Sequence, residues 1–343
     1  MFREISKVQP FYDIISSNHP VLRIKYLFKL SWDWDLQSLG IEDGFKLLHV
    51  TLYYVRAFIC IKSSDYSNPT LVETTWPENL LAIRPKVFPS DRAHAKNVSD
   101  CSRIVQAKCT DIDETSRLWL LDAGNKHCKP KLIIYDLVRR NIELFRAGNF
   151  TFSGDEVTSM KLDPDPPKGE DRAYFTLSHG RFLMVYHLRS RQWIKLIVEA
   201  GAPWDTKRVH AHEIAFTLDH RLYIANKKGH LFVADTHRAK ERELKATYLG
   251  SLLDEAKGLI TDPIGVLYYI LPRHGAIVRW EPTRTLNAEG HEVLLFQTLP
   301  VIQIFFGIQG SVWIATEHMQ TLRDHCVRVL FYFGVASNFA DLQ

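Results

Sequence analysis

Apolar residues in this chain gather in short, strand-like runs, and six of the runs carry an aromatic residue. These are Phe58 in RAFICI, Trp119 in RLWLLD, Tyr174 in RAYFTL, Tyr223 in RLYIAN, Tyr268 in VLYYIL and Trp313 in SVWIAT. They recur every ~45 to 60 residues, the period of propeller blades and related arrays. Most are followed, after a polar turn, by a second apolar run such as KLIIYDL, RFLMVYHL, HLFVAD or AIVRW. A strand pair that recurs in this way has one apolar face too many and must bury it against its neighbours. The pattern predicts an all-β fold, a six-bladed β-propeller over 46–333. Residues 1–45 read as an N-terminal extension and ring-closing segment, and 334–343 as a C-terminal tail.

In RLWLLD, Leu118 and Leu120 point to one face of the strand while Trp119 and Leu121 point to the other, so both faces are apolar. Such a strand belongs in the middle of a blade, between adjacent sheets. The six aromatics are therefore read as inter-blade core, without a site role. Asp219-His220, Lys228-Gly229, His274-Gly275, Gln309-Gly310 and Ala123-Gly124 lie between apolar runs and supply turn chemistry. No stretch sustains helical apolar spacing; the segment from Thr206 to Leu218 comes nearest. The longest polar interruptions are Ser90 to Asp100, Asp163 to Arg172 and Ala200 to Lys207, which in a propeller emerge at the rims of the channel.

Composition adds bounds. A hydrophobic content of 46% with 24% charged residues is ordinary for a folded protein. The formal charge of +4 and the single short basic stretch from His237 to Lys245 argue against nucleic acid as a partner. No run approaches the ~20 apolar residues of a membrane span. The opening residues MFREISKVQPFYDI lack the apolar core of a secretory signal, so either the protein is cytosolic or this sequence lacks its true start. The five cysteines, at 60, 101, 109, 128 and 326, are too scattered for a paired Cys-x-x-Cys zinc site. Asn97-Val98-Ser99 and Asn149-Phe150-Thr151 are glycosylation sequons that matter only in a secreted protein.

The usual signatures of enzymes are absent: there is no Gly-x-Ser-x-Gly elbow, phosphate-binding glycine loop, dinucleotide fingerprint or His-Glu-x-x-His motif. His210 and His212 lie on one face if that stretch is a strand, yet no third ligand is evident, and no metal or cofactor is expected. Asp163-Pro164-Asp165 lacks calcium-loop spacing and reads as a solvated acidic loop. Asp111, Asp113 and Glu114 form an acidic turn before Arg117, which suits carboxylates bonded to turn amides or to that arginine.

The stretch DCSRIVQAKCTDIDETSRLWLLDAGNKHCKPKLIIYDL, Asp100 to Leu137, resembles the major royal jelly protein/Yellow family. In that family a cysteine, an Ile-Asp-Glu-Cys turn, Arg-Leu-Trp-Val-Leu-Asp-x-Gly and Cys-Pro-Pro-Lys-Leu follow in this order. Asn68-Pro69-Thr70-Leu71, Ala173-Tyr174, Leu183 to Tyr186, Gly265 to Tyr269, Ala276 to Trp280 and Val312-Trp313 extend the likeness from about Leu48 to Leu322. The resemblance implies a six-bladed propeller that is secreted, often glycosylated and of insect type, with a leader missing from this sequence. It gives weight to Asn97 and Asn149. There are departures. Thr115 stands where the family has cysteine, a second cysteine is missing around Glu170 to Arg172, and Thr316-Glu317-His318 replaces Ser-Asn-Arg after Trp313. With two family cysteines lost together, the resemblance leaves Cys101 and Cys128 as the expected disulfide partners.

The leading expectation is a non-catalytic binder of a small aromatic amine or catechol-derived ligand at one channel mouth. Phe305 and Phe306 are candidates for the ring and Glu317 for the ammonium, although core packing competes for each phenylalanine. A pigmentation role, or one in cuticle or chorion, follows from the same resemblance. An alternative is a melanin-pathway enzyme of dopachrome-conversion type, for which His179, His210 or His212 would titrate near neutrality. A third is a structural protein whose rim loops contact extracellular proteins.

Overall fold

The computed structural model describes residues 27–28, 36–41, 45–63, 65, 67–76, 85–148, 150–167, 169–201, 207–239, 242–307, 312–316 and 325–329. Among them are strands and five short 3-10 turns, and no α-helix. Strands group in fours along the chain. Lys46–Tyr53, Arg56–Lys62, Leu71–Thr75 and Lys86–Val87 form a first antiparallel sheet, and Ala107–Ile112, Arg117–Asp122, Lys131–Asp136 and Ile142–Ala147 a second. Val157–Leu162, Arg172–Leu177, Leu183–His187 and Gln192–Ala200 make the third group. Glu213–Phe216, Arg221–Ala225, His230–Asp235 and Glu243–Ser251 make the fourth. The third and fourth are fused into one eight-stranded sheet, because their outermost strands pair in parallel from Ile197 opposite Glu243 to Ala200 opposite Ala246. Lys257–Thr261, Leu267–Leu271, Ala276–Trp280 and His291–Phe296 form the next sheet. The last combines Val301–Phe306, Val312–Thr316 and His325–Val329 with Leu27–Phe28, so that an early segment of the chain completes the final sheet.

The first strand of each group touches the first strand of the next, and Val301–Phe306 returns to Lys46–Tyr53. The ring closes around an axis lined by these innermost strands, which is the architecture of a β-propeller. All six sequence-marked aromatics lie in the second strand of their group, and none is more than 2% exposed. The two apolar faces of RLWLLD serve two different slabs of core. Leu118 and Leu120 pack with Phe58 and Phe88 against the first sheet, and Trp119 and Leu121 with Met160 and Phe175 against the third group. At the seam between last and first sheets, Trp76 meets Trp313 and Phe305 edge-on, with centroids 4.8 and 5.6 Å apart. Gln303 bonds both main-chain groups of Val50 across the same seam, at 2.7 and 2.8 Å.

Four of the aromatics are preceded two positions earlier by arginine, and each of these is ion-paired: Arg56 with Glu73, Arg117 with Asp113, Arg172 with Glu170, and Arg221 with Asp219. The segment that carries the family resemblance also works as a folding element. The buried Asp122 accepts from the amides of Val105, Gln106 and Gly124 and pairs with Lys131 at 2.9 Å. Gly124 has φ +66, and a Cβ there would lie 2.1 Å from the Cys128 carbonyl oxygen. Cys128 is joined to Cys101 by a disulfide. Cys60 and Cys109 are free and buried.

Candidate functional site

Strands around a propeller axis do not pair with one another, so their inward groups must find other partners. Side chains supply them. Thr51 Oγ1 donates to the Thr110 carbonyl at 2.9 Å, and the Leu162 amide donates to Asp111 Oδ2 at 2.9 Å. The Gly258 amide donates to Glu213 Oε2 at 3.2 Å, and Lys108 Nζ reaches the Gly154 carbonyl at 2.8 Å. The polar residues of the channel thus staple neighbouring blades together.

Three inward polar side chains also form an electrostatic cluster around Lys161. Burial pushes the Glu213 carboxyl up to about 7, with Lys161 opposing the rise, and burial raises Asp111 against the same ammonium. His49 is lowered to about 3 by burial first and by Lys161 second, so its ring stays neutral. At neutral pH the Glu213 carboxyl therefore stands near the midpoint between its two protonation states.

The C-terminal ends of five innermost strands, Ile112, Leu162, Phe216, Thr261 and Phe306, border one cavity of about 620 Å³. This is a mouth of the channel. Carboxylates dominate its polar lining: Asp111, Asp113, Glu114, Asp163 and Asp262 stand against Lys161. Much of this acidity comes from turn chemistry between the first and second strands. Asp113 Oδ1 accepts from the amides of Thr115 and Arg117, while its Oδ2 takes Arg117 Nε at 2.6 Å and Trp119 Nε1 at 2.7 Å. Asp262 Oδ1 likewise accepts from Ile264 and Val266. Asp111 is different, because it projects from an innermost strand beside Lys161 and not from a turn. Phe216, Phe306 and the exposed Leu218 supply the apolar part.

Of the ligand residues singled out from sequence, Phe306 borders this cavity and packs edge-on against Tyr268 at 5.5 Å. Phe305 turns the other way into the seam with Trp76, and Glu317 lies outside the described residues. The candidate bases sit at the opposite end, beside the starts of the innermost strands. His212 is 3.5 Å from Glu255 and His179 is 3.8 Å from Glu156, while His210 is exposed. Among the described residues no group of three or more His, Cys, Asp or Glu is placed to hold a metal. No described helix is long and apolar enough to cross a membrane. Asn97 is exposed and its Oδ1 accepts from Ser99; Asn149 lies outside the described residues.

No family model matches the chain. It is similar to dopaminechrome tautomerase of Drosophila melanogaster, with 31% identity over 133 residues, which span 34% of this chain and 27% of that protein. Among solved structures, it is similar to virginiamycin B lyase of Staphylococcus aureus, with a TM-score of 0.53, 10% identity, and coverage of 84% of this chain and 82% of that one. A streptogramin B lyase structure gives a TM-score of 0.53 at 11% identity, covering 88% and 97%. At such low identity these likenesses speak to the fold alone.

Proposed function

We propose that this chain is a Yellow-like, six-bladed propeller that is secreted and binds a small aromatic cation at the mouth of its channel, without catalysis. The observation that carries this reading is one cavity lined by both the Phe216 and Phe306 rings and the Asp111 carboxylate. An aromatic amine needs those two elements, a ring face and an anion within a partly desolvated pocket. The Cys101–Cys128 disulfide suits an oxidising compartment, and the exposed Asn97 suits glycosylation there. Pigmentation, cuticle or chorion is the physiological setting that the resemblance supports. Calorimetric titration with dopamine and serotonin tests the reading. Saturable binding that weakens about ten-fold in Asp111→Asn and in Phe306→Ala is expected; no heat with the intact protein would remove it.

A second reading, conversion of a dopachrome-type substrate, draws on Glu213 and on the likeness to dopaminechrome tautomerase. A carboxyl at about 7 is poised to take and return a proton near neutrality. In a spectrophotometric assay with dopaminechrome and dopachrome, the leading reading expects the spontaneous rate. Acceleration that Glu213→Gln abolishes would establish the enzyme instead.

A further inference from the structure

The fusion of the third and fourth groups opens a second cavity, remote from the channel axis. Among the described residues the two outermost strands are paired from Ile197 opposite Glu243 onward, and Gln192 to Leu196 precede that pairing on the outer strand of the third group. A cleft of about 850 Å³ lies between these residues and Arg242. The Ile197 amide donates to the Arg242 carbonyl at 2.8 Å.

Cross-strand register assembles the wall of the cleft. Arg172, His187 and Gln192 stand opposite one another in one row, and Tyr174, Val185 and Ile194 in the next, all on one face of the sheet. The first row is cationic and polar and the second is largely apolar, with Leu196 continuing the apolar floor. Arg242 lines the cleft from the fourth group, and Glu170 is the one carboxylate among the described lining residues. Glu170 holds Arg172 through Nη2, and the Tyr174 hydroxyl meets the same guanidinium. Arg172 is only 10% exposed, yet its Nε is buried without a hydrogen-bond partner among the described residues. A buried guanidinium with an unmet donor costs stability unless an acceptor completes it.

We propose that this lateral cleft binds a small organic oxyanion, its charged head between Arg172 and Arg242 and its apolar body on Tyr174, Val185 and Leu196. The planar fork of arginine matches a carboxylate or phosphate, and Glu170 already shows one carboxylate accepted there. The site is distinct from the acidic channel mouth and selects the opposite charge.

The test is titration of the full chain with phenyl phosphate, phenylacetate and inorganic phosphate, followed by calorimetry. Saturable binding of at least one of the two organic anions, tighter than that of inorganic phosphate and weakened about ten-fold or more in Arg242→Glu, is expected. Dopamine binding at the channel mouth is expected to be unchanged in that variant. Arg242 is exposed, so this variant remains decisive even where Arg172→Gln fails to fold. The assignment is overturned if neither organic anion saturates by about 10 mM, if Arg242→Glu binds as the parent does, or if inorganic phosphate binds as tightly as the organic anions.

Discussion

Glu213 shows how a single side chain ties channel chemistry to stability. Its carboxyl is raised from 4.5 to about 7 by burial, so the folded state holds its proton more tightly than the unfolded chain. The stability this proton confers is complete below pH 4.5, falls as the pH rises, and is gone above about 7, where the ionised group remains buried. Glu213→Gln keeps an acceptor for the Gly258 amide without the charge. We expect it to stabilise the protein by up to about 3 kcal/mol at pH 8 and by nothing measurable at pH 4, read from denaturant midpoints. Gly124 works through shape instead. Its positive φ and the 2.1 Å approach of the Cys128 carbonyl leave no room for a side chain, and Gly124→Ala should cost well over about 1 kcal/mol in thermal or denaturant unfolding. Gly124 and Asp122 are legible in the sequence as part of a resemblance, but their physical role appears only when three segments meet. Glu213 carries no local signal of its role, because its partner Lys161 is 52 residues away and on another blade.

At the scale of elements, the second strands are the most legible part of the molecule, because burial on both faces writes a continuous apolar run. First strands are less so. KLLHVTLY, AKCTDI, VTSMKL and EIAF each carry one or two inward polar residues, and nothing local shows that His49, Asp111, Lys161 and Glu213 converge. A polar residue recurring within the run before each aromatic strand is the signal that would have found the channel. The acidic turns after these strands are legible as turns, and Asp113 does bond both amides and Arg117. The segments around Thr115 and Glu170 to Arg172, which both lack a family cysteine, are tied by Arg117 Nη2 to Asp171 at 2.7 Å. An ion pair stands in that region, its carboxylate 36% exposed and therefore of modest strength. The Cys101–Cys128 bridge, closing a separation of 27 residues, bears more. The double Cys→Ser variant is expected to lose about 3 kcal/mol in urea unfolding under non-reducing conditions.

For the whole molecule, closure rests on the seam where Trp313 and Phe305 of the last sheet meet Trp76 of the first. Trp313→Ala should cost at least about 3 kcal/mol and reduce the cooperativity of unfolding, seen as a broadened thermal transition. The opposite sector behaves differently. Among the described residues the outer strands of the other sheets have no strand paired on their outer edge, whereas Gln192–Ala200 and Glu243–Ser251 hold each other's edges over four residue pairs. In hydrogen–deuterium exchange the amide of Ile197 should therefore be among the last outer-strand positions to take up deuterium. The ring would come apart from the tryptophan seam, with the two fused blades leaving the fold together.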